Sequence, residues 1–309
     1  LETVILSIFN HDTAVASAAA RMVLAANGRP LIEMGSRRVD PHAAVAGARA
    51  AWLAGFSATS NLAAGAQYGI PTTGTAAHAF TLAHESELDA FTNQIRTHGP
   101  DTTLLVDTFD IPTGIRNAVA AARTFGADGP GAIRIDSGDL GAEAEAARVL
   151  LDMLGATRTR IVVTSDVDEH VIALLADAPV DGFGAGTRVA TGCGHPSAGF
   201  VYKLVAVGEP LRPVEKTAVG KTSAGGTKTA YRTADGAEHY SLDGSIPPDA
   251  IGLQHVYVRA GRRIHPAAGD LADARDRAAH GLAGLDDYTR ALADGTPKHT
   301  CTRKDELCL

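Results

Sequence analysis

Short apolar runs that end in polar or small residues recur between residues 31 and 187, and alanine-rich stretches with helical spacing separate them. Each run is continuously apolar rather than alternating, which is typical of strands buried on both faces of a parallel sheet. Strand–helix units repeated at intervals of roughly 20 to 30 residues predict a (β/α) barrel. The seven runs are LIEMGS (31–36), AGFSATS (54–60), IPTTGTAAH (70–78), TTLLVDT (102–108), AIRIDSG (132–138), RIVVTSD (160–166) and GFGAGT (182–187).

Chemically active residues follow or end these runs. The carboxyl ends of barrel strands share one face, which carries the catalytic loops of such folds. We therefore expect the ends of the runs to form one polar surface at the carboxyl end of the barrel, which we call the mouth. They supply Arg37, Arg38, Thr59, Ser60, Asn61, His78, Asp107, Asp110, Arg134, Asp136, Ser165, Asp166, Gly186 and Thr187.

Composition narrows the functional class. The formal net charge of −7 argues against a general nucleic-acid binder. No apolar run approaches the roughly 20 residues that span a bilayer, so a soluble protein without membrane association is expected. Three cysteines without a CxxC motif favour a reducing compartment, and we expect the cytoplasm. KDEL at 304–307 is followed by two more residues and is not a retention signal; we expect this tail to be exposed and disordered.

The pattern of apolar runs and alanine-rich stretches ends near residue 208. Residues 1–30 predict a helical N-terminal segment, 31–208 the barrel, and 209–309 a smaller β-rich element with a helical tail. The DG and AG pairs at 235–236 and 260–261 predict hairpin turns. A basic, Gly-rich segment within 215–232 either contacts anions or forms a solvated loop.

A Gly-rich turn follows the last run. Gly184 and Gly186 allow backbone N–H groups to face a ligand, and Thr187 adds a hydroxyl donor. These donors suit a phosphate ligand. An ordinary tight turn explains the same residues about equally well. Its place at a late barrel strand favours phosphate binding.

Arg134 and Asp136 lie two residues apart in IRIDSGDL and should point the same way from one strand. Either the guanidinium and the carboxylate both face a ligand pocket at the end of the strand, or the two side chains form a structural ion pair. Asp107 and Asp166 are further carboxylates that could orient sugar hydroxyls or hold Mg²⁺ through water. The sequence has no HExxH motif and no Cys cluster, so we expect no protein-bound zinc site.

His78 ends GTAAH behind small residues, as expected if a bulky substrate must approach the ring. An isolated histidine is more often a satisfied core residue, so this pattern alone leaves its role open. The segments EMGSRR, GFSATSNLAAG, GIPTTGTAAHAF, LLVDTFD, AIRIDSGDL, VVTSDVDE, GFGAGT and VYKLV, in this order and spacing, closely resemble nicotinate phosphoribosyltransferase. The resemblance runs from the first residues to about residue 235.

This resemblance implies the type II phosphoribosyltransferase fold, an incomplete (β/α) barrel with a smaller α+β element. Members of the family make nicotinate mononucleotide and pyrophosphate from nicotinate and phosphoribosyl pyrophosphate. They use Mg²⁺ and couple the reaction to ATP hydrolysis. The resemblance also implies a homodimer with shared active sites.

The family's site residues match positions of this chain. His78 would be phosphorylated by ATP, Arg37 would contact the pyrophosphate region and Arg134 would define the nicotinate pocket. Asp136 would act at the sugar together with Asp166. Gly184, Gly186 and Thr187 would receive the 5′-phosphate, and Ser60 and Asn61 lie where the related nicotinamide enzyme has an acid. Independently of the family, Asp107 is a run-end carboxylate that we expect at the substrate.

Three alternatives stay open. The family's N-terminal region is not matched, so we expect a truncated member, and a non-catalytic homologue that binds nucleotide or a partner subunit is one alternative. A quinolinate-type phosphoribosyltransferase is another, although a dicarboxylate pocket should contain more Arg and Lys at the early strand ends. A barrel aldolase would need a Schiff-base lysine at a strand end, and these ends have none.

Overall fold

The computed structural model describes residues 1–218, 221–222, 224–264, 267–285, 290–291 and 302–303. Contacts divide the chain into two compact units, which we treat separately. The larger unit comprises Thr3–Phe200 and Leu271–Leu292, and the smaller comprises Leu1–Glu2, Val201–Asp270 and Ala293–Leu309.

The larger unit is built on a six-stranded parallel sheet. Its order is β2-β1-β6-β5-β4-β3, so the first and last strands of the chain order pair as they do in a barrel, while β2 and β3 form open edges. The sheet is therefore an incomplete barrel, as the sequence predicts. Its strands are β1 (Leu31–Glu33), β2 (Ala58–Thr59), β3 (Thr103–Leu105), β4 (Ala132–Ile135), β5 (Arg160–Val163) and β6 (Gly182–Ala185).

Helices cover the sheet, and many begin with a side-chain cap that follows a strand end. Asp40, Asn61, Asp110, Asp139 and Asp168 each accept backbone N–H bonds at a helix start. The helices are α1 (Glu2–Ala26), α2 (Pro41–Ala54), α3 (Leu62–Tyr68), α4 (His78–Leu82), α5 (Glu87–His98), α6 (Ile111–Arg123), α7 (Leu140–Met153), α8 (Glu169–Leu174), α9 (Thr187–Ala190), a 3₁₀ turn (Gly192–Gly194) and α10 (Ala267–Ala283).

Small helix residues let the helices pack closely on the sheet. Leu104, Ile133, Ile161 and Phe183 of the strands are fully buried in one core with alanines of the surrounding helices. Helix α1 joins this same core through Met22 and its apolar neighbours. This arrangement explains why the strands lack alternation, since both of their faces are covered.

One of the seven predicted runs does not form a strand. In residues 70–78 only Thr72 pairs, in an isolated parallel bridge to Thr59. The following Gly74 and alanines have low strand propensity, and the backbone turns into α4. His78 therefore begins a short helix instead of ending a strand, and this segment lies beside the open edge of the barrel.

The smaller unit is β-rich. A four-stranded sheet has the order β13-β11-β12-β16, and β7-β8, β9-β10 and β14-β15 form separate antiparallel pairs. The predicted DG and AG turns join β11 to β12 and β14 to β15. The strands are β7 (Ala206–Val207), β8 (Arg212–Pro213), β9 (Thr217–Ala218), β10 (Lys221–Thr222), β11 (Thr229–Arg232), β12 (Glu238–Ser241), β13 (Ile251–Gly252), β14 (Val258–Arg259), β15 (Arg262–Arg263) and β16 (Thr302–Arg303).

Parts of the predicted C-terminal element lie outside the described residues, including most of the tail at 296–309 with Cys301 and Cys308. Within the part that the structure does describe, none of the helices combines the length and the apolar character needed to cross a bilayer.

Candidate active site

Two adjoining cavities open at the carboxyl ends of the parallel strands. They share Met34, Arg37, Arg134 and Asp136. The first, of about 190 Å³, is named the glycine cavity and is also lined by Arg38, Thr164, Ser165, Asp166, Gly184, Gly186 and Thr187. The second, of about 250 Å³, is named the histidine cavity and is also lined by Ser36, Ser60, Gly74, Thr75, Ala76, Ala77, His78 and Leu105.

Most of the predicted site residues line one of these two cavities. Four of the residues predicted at the mouth line neither cavity: Thr59, Asn61, Asp107 and Asp110. A larger cavity of about 430 Å³ lies at the amino ends of the strands, around Gly131 and Thr159, and contains none of the predicted site residues. Barrel enzymes place their chemistry at the carboxyl ends, so the two smaller cavities form the candidate active site.

Arg134 is fixed between the two cavities by three side-chain contacts. Its Nε donates to Thr164 Oγ1 at 2.8 Å and its Nη1 donates to Thr75 Oγ1 at 2.7 Å. Its Nη2 lies 2.9 Å from Asp136 Oδ2, and only 11% of the side chain is exposed. The planar guanidinium is thus held in one orientation, which is the property that distinguishes Arg from Lys at such sites.

Asp136 has a different partner for each carboxylate oxygen. Thr164 donates its hydroxyl to Oδ1 at 2.6 Å, while Arg134 pairs with Oδ2. Thr164 therefore accepts from the arginine and donates to the aspartate, which joins the ends of β4 and β5. The side chain of Asp136 remains 22% exposed, so this carboxylate faces the cavity as well as its partners.

His78 extends into the histidine cavity from the first turn of α4. Its Nδ1 lies 3.1 Å from Thr108 Oγ1, and its Nε2 lies 4.0 Å from Asp136 Oδ2. The side chain is 43% exposed. One ring nitrogen is therefore oriented by the protein while the other faces the cavity, an arrangement suited to a reactive imidazole.

Asp107 supports the site from behind. Its Oδ2 accepts the backbone N–H of Asp136 at 2.8 Å and the hydroxyl of Ser137 at 2.7 Å. These bonds fix the start of the loop that follows β4. Asp107 thereby sets the position of Asp136 without lining either cavity.

The glycine cavity needs residues without side chains or with unusual backbone angles. A Cβ on Gly184 would lie 2.6 Å from Thr164 Cγ2 and 2.8 Å from Met34 Sδ, so a side chain does not fit there. Ser165 and Asp166 adopt positive φ values of 93° and 45°. Such angles are uncommon outside glycine and often occur at functional sites, where surrounding contacts hold them.

A buried carboxylate organises the ends of β1 and β2. Glu33 is 4% exposed, accepts the hydroxyl of Thr59 at 2.6 Å and accepts the backbone N–H of Gly35. Burial raises the pKa of Glu33, although both hydrogen bonds oppose that rise. Glu33 fixes the loop that carries Arg37.

Asn61 has a structural part in this geometry. Its side-chain oxygen caps α3 by accepting the N–H of Ala64 at 2.9 Å, and its Nδ2 donates to Ser36 Oγ at 3.0 Å. Both polar atoms of the amide have partners within the protein. Ser60, its neighbour, lines the histidine cavity.

Sequence reasoning missed the hydroxyls and the acid that position the predicted residues. Thr75, Thr108 and Thr164 each bond to a predicted residue, and Glu33 lies beneath the first loop. Thr108 and Thr164 adjoin predicted residues at strand ends, so a search for hydroxyls there would have found them. Thr75 follows no strand and carried no such signal.

The described residues contain no group of three or more His, Cys, Asp and Glu side chains that could hold a metal ion.

Comparison with known proteins places this geometry in a family. No family model matches the chain. The chain is 53% identical over 313 residues to the nicotinate phosphoribosyltransferase pncB1 of Mycobacterium tuberculosis strain H37Rv, covering 96% of this chain and 68% of that protein. It is 39% identical over 279 residues to the nicotinate phosphoribosyltransferase of Bacillus subtilis, covering 86% of this chain and 56% of that one.

Solved structures support the fold. The human nicotinic acid phosphoribosyltransferase gives a TM-score of 0.77 at 24% identity and covers 98% of this chain and 74% of that one. The nicotinate-nucleotide pyrophosphorylase of Pyrococcus furiosus also gives 0.77 at 24% identity, covering 92% and 74%. The predicted fold class and the predicted resemblance are confirmed. With its relatives named for the same activity and the shared segments placed around one pair of cavities, the chain belongs to the nicotinate phosphoribosyltransferase family of enzymes.

Proposed function

We propose that this chain transfers the phosphoribosyl group of phosphoribosyl pyrophosphate to nicotinate, forming nicotinate mononucleotide and pyrophosphate for NAD biosynthesis. The observation that carries the proposal is the position of His78 Nε2, 4.0 Å from the Asp136 carboxylate that Arg134 holds. An imidazole, a carboxylate and a fixed guanidinium thereby meet at the carboxyl ends of a phosphoribosyltransferase-like barrel.

The charges of the two cavities suit this reaction. Cleavage of the C1–pyrophosphate bond develops positive charge on the sugar and negative charge on the leaving group, so oppositely charged groups stabilise the transition state. Asp136 and Asp166 would bind the ribose hydroxyls. Arg37 and Arg38, which line the glycine cavity, would bind the pyrophosphate.

The phosphate end of the substrate fits the glycine cavity. Gly184, Gly186 and Thr187 line it, and the missing side chain at Gly184 leaves room for Thr164 and Met34, which also line it. Nicotinate would occupy the histidine cavity. Among the described residues that line this cavity, Asp136 is the single carboxylate, and Arg134 neutralises it. The cavity therefore favours the negatively charged nicotinate ring and does not repel it.

ATP coupling would act through His78. When Nδ1 carries its proton and donates to Thr108 Oγ1, Nε2 keeps the lone pair that attacks the γ-phosphorus of ATP. ADP leaves with the bridging oxygen, and the phosphoryl group remains on Nε2 until water removes it. Mg²⁺ would enter bound to the phosphates of ATP and phosphoribosyl pyrophosphate.

The test is an assay of the purified chain with nicotinate, phosphoribosyl pyrophosphate and Mg²⁺, with and without ATP. We expect nicotinate mononucleotide to rise with ATP, and label from the γ-phosphate to appear on the wild-type chain. His78→Ala should lose both the label and the ATP stimulation. His42→Ala, whose side chain is fully exposed, is the matched control and should keep both.

Other outcomes discriminate between the alternatives. Turnover of quinolinate without turnover of nicotinate would support the quinolinate-type enzyme. A folded chain that binds ATP without any product would support the non-catalytic homologue. A homodimer and a cytoplasmic location also belong to the proposal, and sedimentation of the purified chain tests the first.

A further inference from the structure

Ser36 lines the histidine cavity from the loop after β1, together with the hydroxyl residues Ser60 and Thr75. The hydroxyl of Thr75 already accepts a bond from Arg134 and donates to the carbonyl of Ala76 at 3.3 Å. What Ser36 can bind depends on where the protein directs its hydroxyl proton, and the neighbouring strand end decides that.

The side chain of Asn61, which follows β2, has one defined orientation. Its side-chain oxygen accepts the backbone N–H of Ala64 at 2.9 Å, and a backbone N–H can only donate. The other amide atom is therefore the nitrogen, so the usual ambiguity of an amide does not arise here. The N–H of Asn61 donates to Thr59 Oγ1 at 3.0 Å, and the hydroxyl of Thr59 donates to Glu33. Asn61 is thus fixed through both its side chain and its backbone.

This orientation determines the role of the Ser36 hydroxyl. Asn61 Nδ2 lies 3.0 Å from Ser36 Oγ, and because an amide nitrogen does not accept, Asn61 donates and Ser36 accepts. The proton of Ser36 is left for another acceptor, and within the described ranges of the chain no residue supplies one. Ser36 therefore presents a hydrogen-bond donor at the wall of the histidine cavity.

The rest of this cavity suits a flat aromatic acid. Apolar surface on which the faces of a ring can pack comes from Met34, Ala76, Ala77 and Leu105. Ser60 adds a second hydroxyl that has no partner in the part of the chain that the structure describes. A carboxylate accepts at both of its oxygens and donates at neither, so it matches hydroxyl donors better than a neutral substituent does.

We propose that Ser36 donates its hydroxyl proton in a hydrogen bond to the carboxylate of nicotinate, and that Asn61 is a positioning residue that orients this hydroxyl. The identity of the ligand rests on the proposed function, whereas the orientation of Ser36 rests on the bonds within the chain. A hydrogen bond to a charged acceptor is stronger than one between neutral groups, so this single hydroxyl contributes to affinity. Asn61 acts on the substrate through Ser36 and does not line the cavity itself.

The contact is tested by steady-state kinetics and by equilibrium dialysis of radiolabelled nicotinate with the whole chain. Ser36→Ala removes the donor, so KM and the dissociation constant for nicotinate should both rise roughly tenfold. KM for phosphoribosyl pyrophosphate should change much less. Ser57→Ala, at an exposed position just before β2, is the matched control and should leave both KM values unchanged. Unchanged affinity for nicotinate in Ser36→Ala, or a loss confined to phosphoribosyl pyrophosphate, overturns the proposal.

The positioning role is tested by a double-mutant cycle. Asn61→Ser keeps a good cap for α3 but removes the amide that donates to Ser36. The Ser36 hydroxyl then distributes over about three staggered orientations, so KM for nicotinate should rise about threefold while the unfolding temperature stays near that of the wild type. In the Ser36→Ala background the same change should not raise KM further. An equal rise in both backgrounds contradicts the role, because Asn61 would then act without Ser36.

These results stay distinguishable from failure of the proposed function. If the wild type converts nicotinate and Ser36→Ala does so with the same KM, the inference about Ser36 alone is wrong. If the wild type binds nicotinate without converting it, the transfer reaction is refuted and dialysis still decides the Ser36 contact. A wild-type chain that neither binds nor converts nicotinate refutes the proposed substrate and the contact with it.

Discussion

The carboxylate of Glu33 accepts the hydroxyl of Thr59 at 2.6 Å, and this bond joins the carboxyl ends of β1 and β2. The second carboxylate oxygen accepts the N–H of Gly35, at the start of the loop that carries Arg37. One buried acid thus sets the geometry of two strand ends in the site. Its value lies in accepting two hydrogen bonds at once.

Glu33→Gln should lower the free energy of unfolding by about 1–3 kcal/mol. The amide has one acceptor where the protein presents two donors, so either Gly35 or Thr59 is left facing an N–H. Urea unfolding measures the loss. Glu85→Gln, the same change at an exposed position, should stay within about 0.5 kcal/mol of wild type. A similar small effect at Glu33 would contradict this interpretation of its two bonds.

Thr164→Val should reduce kcat/KM by roughly tenfold, because the hydroxyl both accepts from Arg134 and donates to Asp136. Steady-state kinetics with nicotinate measures it. Thr159→Val is the matched control, since its buried hydroxyl donates to Pro130 at the opposite edge of the sheet. The control should lose stability while keeping kcat/KM. Equal kinetic losses in both variants would indicate a general packing effect.

The sequence predicted the barrel and most of the lining because both depend on local patterns. Buried strands appear in the sequence as continuous apolar runs. The residue that follows each run lies at the carboxyl end of its strand and therefore at the mouth, as Asp136 and Gly186 show. Thr75 could not be found in this way, because it reaches Arg134 from a segment without regular structure. The pairing of Glu33 with Thr59 depends on which strands become neighbours, and strand order is a tertiary property.

The segment around His78 shows the same limit. Its apolar start resembles a strand, but Gly74 and the alanines favour an irregular path, and one bridge at Thr72 is all the pairing that results. The prediction placed the histidine correctly at the mouth and wrongly at the end of a strand. Near an open edge of the sheet, the low strand propensity of these residues outweighed the strand–helix repeat of the rest of the barrel.

Gly184→Ala should destabilise the protein by about 1–3 kcal/mol and impair substrate binding. The added Cβ would overlap Thr164 Cγ2 and Met34 Sδ at 2.6 and 2.8 Å, so β6 or the loop after β1 must shift. Gly47→Ala is the control. Its nearest neighbour would be Val15 Cγ1 at 3.9 Å, and alanine in helix α2 should be stabilising by up to about 1 kcal/mol. Thermal unfolding and KM for phosphoribosyl pyrophosphate measure the two effects.

Glu169 should make stability fall in acid. Burial opposes its ionisation, but the hydrogen bonds from Arg21, from its own backbone N–H and from Cys193, together with the charge of Arg21, outweigh that effect and lower its pKa. A lowered pKa contributes stability above the unfolded value of about 4.3, and the contribution is lost as pH falls through the folded value. Glu169→Gln should flatten that part of the curve of unfolding free energy against pH. Glu145→Gln, at an exposed position in α7, should keep the wild-type slope.

Cys193 should be nearly inert to alkylation in the native protein. Burial raises the pKa of its thiol to about 12, and the hydrogen bond to Glu169 at 3.2 Å adds to that rise. Since the thiolate is the reactive form, its fraction is roughly a thousandfold smaller than for an unperturbed thiol. Mass spectrometry of the Cys193 peptide after timed exposure to iodoacetamide measures the rate, with the urea-unfolded chain as reference. Glu169→Gln removes the charge and leaves one acceptor oxygen where Arg21 and Cys193 each use one, so it should speed the native reaction while burial keeps it slower than in urea. A native rate equal to the unfolded one would show that Glu169 and the core do not protect this thiol.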